Sequence, residues 1–225
     1  MSDAAGNLGK LRKKASRGDA GAMLELGLRY LAGNGTEQNA EIAAQWFRNA
    51  AKAGNVEAQR QLAVCCKQGI GLSADIIAYE IWMEKAASAG DVEAQLELGK
   101  HYEQSNHEES TAWYSKAAQQ GDAEGQFQLG LSYALGFGIE QDYSQANKWL
   151  ARAAKQGSAL AQYSWDFTMT RAWESNKTLS KHSNGICLPR NKANQKPKTN
   201  WEIAIATVME WSQASSRRSI GILRP

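Results

Sequence analysis

Apolar side chains along this chain fall into a pattern that returns at a fixed interval. Ala22, Leu26 and Tyr30 are spaced i, i+4, i+8, which places them in one stripe of a helix. The stripe recurs as Ala58, Leu62 and Cys66, as Ala94, Leu98 and Tyr102, and as Gly125, Leu129 and Tyr133. Each stripe is followed by a second helical pattern carrying Trp46, Trp82, Trp113 or Trp149 and then an alanine pair: Ala50-Ala51, Ala86-Ala87, Ala117-Ala118 and Ala153-Ala154. A glycine opens every unit, at Gly18, Gly54, Gly90, Gly121 and Gly157, so the steps are 36, 36, 31 and 36 residues. Two helices per unit at such a period specify an all-α solenoid of stacked antiparallel helix pairs.

The boundaries of the helices are written in polar residues. Asp19, Asn55, Asp91, Asp122 and Ser158 follow the opening glycines, and each has a side-chain oxygen able to accept from the unpaired amides of a first helical turn. Asn39, Asp75, Asn106 and Asp142 are placed to do the same for the second helices. Between the two helices stand Gly33-Asn-Gly35, Gly69-Ile-Gly71 and Gly136-Phe-Gly138, glycines suited to the left-handed conformation of a helix end. The small residue after each stripe leucine (Gly27, Ala63, Gly99, Gly130) predicts close approach of a neighbouring helix. A tryptophan beside two alanines predicts a buried knob in its hole.

These elements, G-D-A-x-A-Q, L-G-x-x-Y, G-x-G and A-x-x-W-x-x-x-A-A, occur in order and in phase from about Ala15 to Arg171. The arrangement resembles the Sel1-like repeat family, a relative of the tetratricopeptide repeat, and the resemblance implies a right-handed superhelix. The third unit departs from the pattern by lacking the G-x-G turn, which predicts a tighter hairpin at Gln104 to Asn106. The fifth keeps Ser158-Ala-Leu-Ala-Gln162 and then places Trp165 and Asp166 where Leu-Gly is expected.

A repeat leaves one apolar face uncovered, so an array needs caps. Residues 1–17 read as an N-terminal half-repeat cap, since Leu8 to Arg17 aligns with the end of a second helix and Ala15 is in phase with Ala51. Residues 18–173 are the array. Residues 174–225 hold all three prolines and read as a basic linker followed, from Asn200 to about residue 215, by a stretch with Trp201, Ile205, Val208 and Trp211 on one helical face. That stretch is either a C-terminal cap or a free segment that docks on a partner.

Charge separates the same two regions. Residues 1–173 carry 17 Lys and Arg against 20 Asp and Glu, a net −3, whereas residues 174–225 carry 9 against 3, a net +6. A loose positive stretch such as Lys192, Lys196 and Lys198 is ordinary for a solvated linker and does not point to nucleic acid. No run reaches the roughly 18 apolar residues that a membrane span needs. Three cysteines, Cys65, Cys66 and Cys187, form no disulfide framework. With a polar stretch from Met1 to Asn7, they set the expectation of a cytoplasmic protein.

Candidate chemistry is sparse. The G-x-G triplets follow helices, not strands, and lack the third glycine of a dinucleotide fingerprint. Cys66 stands in for the stripe tyrosine and should be buried, while Cys65 points elsewhere. Glu97 and His101 are i, i+4 on a helix, and His107 and Glu108 follow, but polar helix faces produce such pairs routinely and no metal site is expected. No Ser-x-x-Lys or other nucleophile–base arrangement is present. The chain is therefore expected to be non-catalytic, without metal or cofactor.

What remains is a surface for holding another protein or peptide. Positions pointing away from the leucine stripe of the first helices vary between units: Glu25 and Arg29; Gln61, Cys65 and Gln68; Glu97, His101 and Gln104; Gln128 and Ser132. On the concave side of a solenoid such positions are expected to bind the partner. The resemblance implies an adaptor or scaffold, or alternatively an immunity or inhibitor protein that neutralises a toxic effector enzyme by direct binding; it implies a bacterial origin as well. The oligomeric state is left open.

Overall fold

The computed structural model describes residues 2–165 and Thr168, with side chains from Leu8 onward. Among these residues every regular element is a helix. They run α1 (Ser2–Ala15), α2 (Ala20–Ala32), α3 (Ala40–Lys52), α4 (Val56–Gln68), α5 (Ile76–Ser88), α6 (Val92–Tyr102), α7 (His107–Gln119), α8 (Ala123–Leu135) and α9 (Tyr143–Lys155). A last helix, α10, covers residues 159–165. Each helix packs on the next in sequence, so the pairs α2/α3, α4/α5, α6/α7 and α8/α9 stack into an α-solenoid. The linker and tail expected at 174–225 lie outside the described residues.

Every predicted cap is made. The side chains of Asp19, Asn55, Asp91 and Asp122 accept from the amides of Ala22, Ala58, Ala94 and Gly125 at 2.7–3.0 Å. Asn39, Asp75, Asn106 and Asp142 do the same at the second helices, and Ser158 Oγ accepts from the Ala161 amide at 3.3 Å. Each such cap contributes about 1 kcal/mol. Gly33, Gly69 and Gly136 end their helices in the left-handed conformation, φ 71–75°. The second glycine of the turn has a tertiary reason: a Cβ on Gly71 would stand 2.0 Å from the Ala40 carbonyl oxygen, and one on Gly138 2.1 Å from that of His107. The turn thus lies on the first residue of the preceding unit's second helix. In the third unit, α6 ends at Tyr102 and four residues complete the tighter turn.

The core is the leucine stripe and the residue after each tryptophan. Leu26, Leu62, Leu98 and Leu129 are buried, as are Phe47, Met83, Tyr114 and Leu150. This corrects the expectation that the tryptophans are the knobs. Trp46, Trp82 and Trp149 are only half-buried; Trp113 alone of the four is buried, 7% exposed. The neighbour one residue on points inward, and the predicted small residues receive it. A Cβ on Gly27 would come within 2.5 Å of the Phe47 ring, one on Gly99 within 2.5 Å of Tyr114, and one on Gly130 within 2.7 Å of Leu150. Cations cover three of the tryptophan rings, the half-buried Trp82 (Lys85, 4.3 Å) and Trp149 (Arg152, 4.5 Å) and the buried Trp113 (Lys116, 3.5 Å). An aromatic ring under a cationic head half in water suits an outer helix face.

The first-helix face and the junctions between repeats

The variable positions of the first helices form two columns, seven and eleven residues after the opening glycine. The first column is Glu25, Gln61, Glu97 and Gln128, all half-buried and held by neighbours one turn away. Glu25 pairs with Arg29 Nε at 2.7 Å. Gln61 donates to Glu57 and Gln128 to Glu124, both at 2.8 Å, and Glu97 lies 3.8 Å from Lys100. These are i, i+3 and i, i+4 contacts that fix long side chains on the surface without burying them. Gln68 is exposed at the end of α4, whereas Gln104, expected on the first helix, is exposed in the turn that follows α6.

The second column, Arg29, Cys65, His101 and Ser132, behaves differently from expectation. Cys65 and Ser132 are buried, a correction to their reading as accessible positions. Ser132 Oγ donates to the Gln128 carbonyl at 3.0 Å and accepts from Thr111 Oγ1 of the preceding second helix at 3.1 Å. His101 Nε2 meets Glu80 Oε1 at 2.9 Å across the corresponding junction, and its ring stands edge-on to Tyr79. Thr168, the same position in the fifth unit, bonds to Asn147. Glu80, Thr111 and Asn147 all lie two residues before a unit's tryptophan. From the second unit onward the column therefore faces backward onto the previous repeat and its variation follows its junction partner, whereas Arg29 pairs with Glu25 on its own helix. Cys65 has the buried Ala44 at the matching position, a pair with no polar group to satisfy beyond the thiol.

Burial raises both thiols and a tyrosine hydroxyl in this layer. The Cys65 thiol is pushed up to about 11 by desolvation, with the neighbouring Cys66 adding to it, and Cys66 is raised for the same first reason. Burial also raises the Tyr102 hydroxyl to about 12, helped by the carboxylates of Glu109, Glu80 and Glu84. Neither thiol is a nucleophile at neutral pH, and the Ser132 hydroxyl is engaged on both sides. Among the described residues no group of three or more His, Cys, Asp or Glu side chains could hold a metal ion. No helix there is long and apolar enough to cross a membrane.

A second set of contacts, missed in the sequence, ties the repeats together through glutamine. Gln59, Gln95, Gln126 and Gln162 donate from the first helices to the carbonyls of Ala51, Ala87, Ala118 and Ala154 in the preceding unit. Gln120 then donates to both Gln95 Oε1 and the Gly90 carbonyl, at 2.9 and 3.1 Å. Gln156 does the same to Gln126 and Gly121 at 3.0 and 2.8 Å. The signal was the glutamine that ends G-D-A-x-A-Q, which recurs with the period as faithfully as the leucine. Arg60 adds a charged link, pairing with Glu57 and Glu93 and placing Nε 3.4 Å from Asp91 of the next unit.

The Sel1 repeat profile matches residues 20–55, 56–91, 92–122 and 123–158, the four helix pairs just described. The chain belongs to the Sel1 repeat family. Sel1 repeat proteins are scaffolds that typically mediate protein–protein interaction and are typically non-catalytic. Among solved structures, the chain is similar to c5321, a protective antigen present in uropathogenic Escherichia coli strains displaying an SLR fold, with a TM-score of 0.70 and 30% identity over 74% of this chain and 37% of that one. It is similar also to a Sel1 repeat protein from Oxalobacter formigenes, TM-score 0.64 and 34% identity, over 69% and 46% of the two chains. A stretch of 44 residues is 50% identical to the secretory immunoglobulin A-binding protein EsiB of Escherichia coli, covering 20% of this chain and 9% of that protein. The chain thus spans less than half the length of each of these relatives.

Proposed function

We propose that this Sel1 array binds another protein or a peptide along the exposed face of its first helices, with no catalytic step. The observation that carries the reading is the first column together with the helix ends. Glu25, Gln61, Glu97 and Gln128 recur on a constant backbone, stay accessible, and differ in charge from one unit to the next, with Arg29, Gln68 and Gln104 beside them. Rigid helices presenting pre-ordered polar side chains lose little entropy on binding. Cys65 and Ser132 are not part of this face. His101 contributes by holding Glu80 at the junction beneath it.

The test is a partner captured from the native organism, purified, and titrated against variants. Glu97→Lys combined with Gln128→Ala should weaken binding at least tenfold, about 1.4 kcal/mol, with the melting midpoint almost unchanged. Equal affinity of that variant and the parent chain would defeat the proposal. So would loss of binding on deletion of residues 174–225 alone, with the array still folded, because recognition would then lie in the tail.

A further inference from the structure

In the first four units the stripe leucine is buried beneath the unit's own second helix: Leu26, Leu62, Leu98 and Leu129 are at most 2% exposed. The fifth unit has Trp165 at this position, packed on one side against the cluster of Phe127, Leu150, Ala153 and Ala161, and half-exposed on the other. Trp165 lines an open groove with Ala151, Ala154, Lys155 and Gln162. Ala154 shows the same deficit, since its equivalents Ala51, Ala87 and Ala118 are buried and it is not. Farther along α10, Tyr163 is 71% exposed and Leu160 45%; Leu160 occupies a slot held by Glu57, Glu93 and Glu124 in the three preceding units. The array therefore presents an apolar end that no second helix among the described residues covers.

The chain that continues from this end holds a helix-period apolar face in one stretch, residues 200–212, where Trp201, Ile205 and Val208 are spaced i, i+4, i+7. The 31 residues from 169 to 199 far exceed the four to seven that join the two helices of the other units. Their reach exceeds the width of a helix pair many times over, and lengthening a connection costs little. We infer that residues 200–212 dock on the end of the array as the second helix of the fifth unit, covering Trp165 and Ala154. This inference is independent of the partner-binding reading, because it concerns the free chain. Burial of the half-exposed Trp165 and Ala154 against Trp201 and Ile205 is the driving force.

The full chain and its Ile205→Asp variant can be compared by hydrogen exchange and by limited chymotrypsin digestion, which cuts after tryptophan. In the full chain, amides 158–165 should be protected, and cleavage after Trp201 should be at least tenfold slower than in a free peptide of residues 195–217. Ile205→Asp should abolish both effects while leaving exchange in residues 40–118 unchanged. Trp165→Ser, changed on the other side of the contact, should likewise release Trp201 to the protease. Cleavage of the full chain at the peptide rate overturns the inference. So does protection of residues 158–165 that survives Ile205→Asp, or that rises with protein concentration in step with a dimer seen by light scattering, since a second copy would then be the cover.

Discussion

The second and fourth repeats have the same length, the same G-x-G turn and side-chain N-caps at the same positions, yet their interiors are completed by different chemistry. In the fourth, Leu150 presses on Gly130, Ser132 accepts a hydrogen bond from Thr111 of the third repeat, and Gln156 satisfies Gln126. In the second, Met83 is paired with Ala63 at these positions, Cys65 with Ala44, and Ala89 stands where Gln156 does. Gln59 pays the difference: its Oε1 is buried with no partner. The second repeat also exposes Ile77 and Ile81 on α5, 66% and 48%, where the fourth has Ser144 and Lys148. A solenoid tolerates this because each unit answers only to its neighbours, so a junction can trade one complementary pair for another without consequence farther along.

The largest effects should come from the inward knobs. Met83→Ala and Leu150→Ala should each cost about 2–5 kcal/mol, measured by urea unfolding. Trp82→Ala, one position away and half in water, should cost less than Met83→Ala. The reverse order would restore the tryptophan as the knob and invalidate the register described above.

Next come the helix contacts beneath the knobs. Gly130→Ala would set a methyl 2.7 Å from Leu150 and should destabilise by about 1–3 kcal/mol, despite alanine's better helix propensity. Leu150→Met, copying the flexible side chain of the second repeat, should recover part of that loss in the double variant. Independent, additive costs would show that the two sites do not press on each other.

The orphaned amide predicts a gain. Ala89 has φ −77° and ψ 0°, close to the φ −76° and ψ −3° of Gln120, so glutamine fits the backbone there. Ala89→Gln should donate to Gln59 Oε1 and the Gly54 carbonyl and stabilise the chain by about 0.5–1.5 kcal/mol. Gln156→Ala in the fourth repeat should lose a similar amount. If Ala89→Gln stabilises the Gln59→Ala chain equally, the contact is not the cause.

The smallest effect is on reactivity, not stability. With its thiol raised to about 11, Cys65 is about one part in a thousand thiolate at pH 8. Iodoacetamide should leave it unmodified in the folded protein and alkylate it rapidly in denaturant, where the pKa returns to about 8.5. Labelling of folded Cys65 at the denatured rate would place it on the surface after all.

How the fold was legible follows from where its information lies. The caps, the turn glycines, the leucine stripe and the 31-residue third unit are local facts: a carboxylate three residues from an unpaired amide, or a glycine at a positive φ, is decided within one turn of chain. Those readings needed no neighbour, and Asp19 to Ser158 all took the roles their positions assign. The identity of the knob, the burial of Cys65 and Ser132, and the glutamine links were decided between units. Whether Trp82 or Met83 points inward depends on the rotation of one helix against the next, a matter of about 100° per residue that apolar character alone does not resolve when both residues are apolar. Likewise, variation between repeats marks either a surface or a set of compensating pairs. Only the stacking of α5 on α6 and α7 on α8 showed that Glu80 and His101, or Thr111 and Ser132, vary together because they touch.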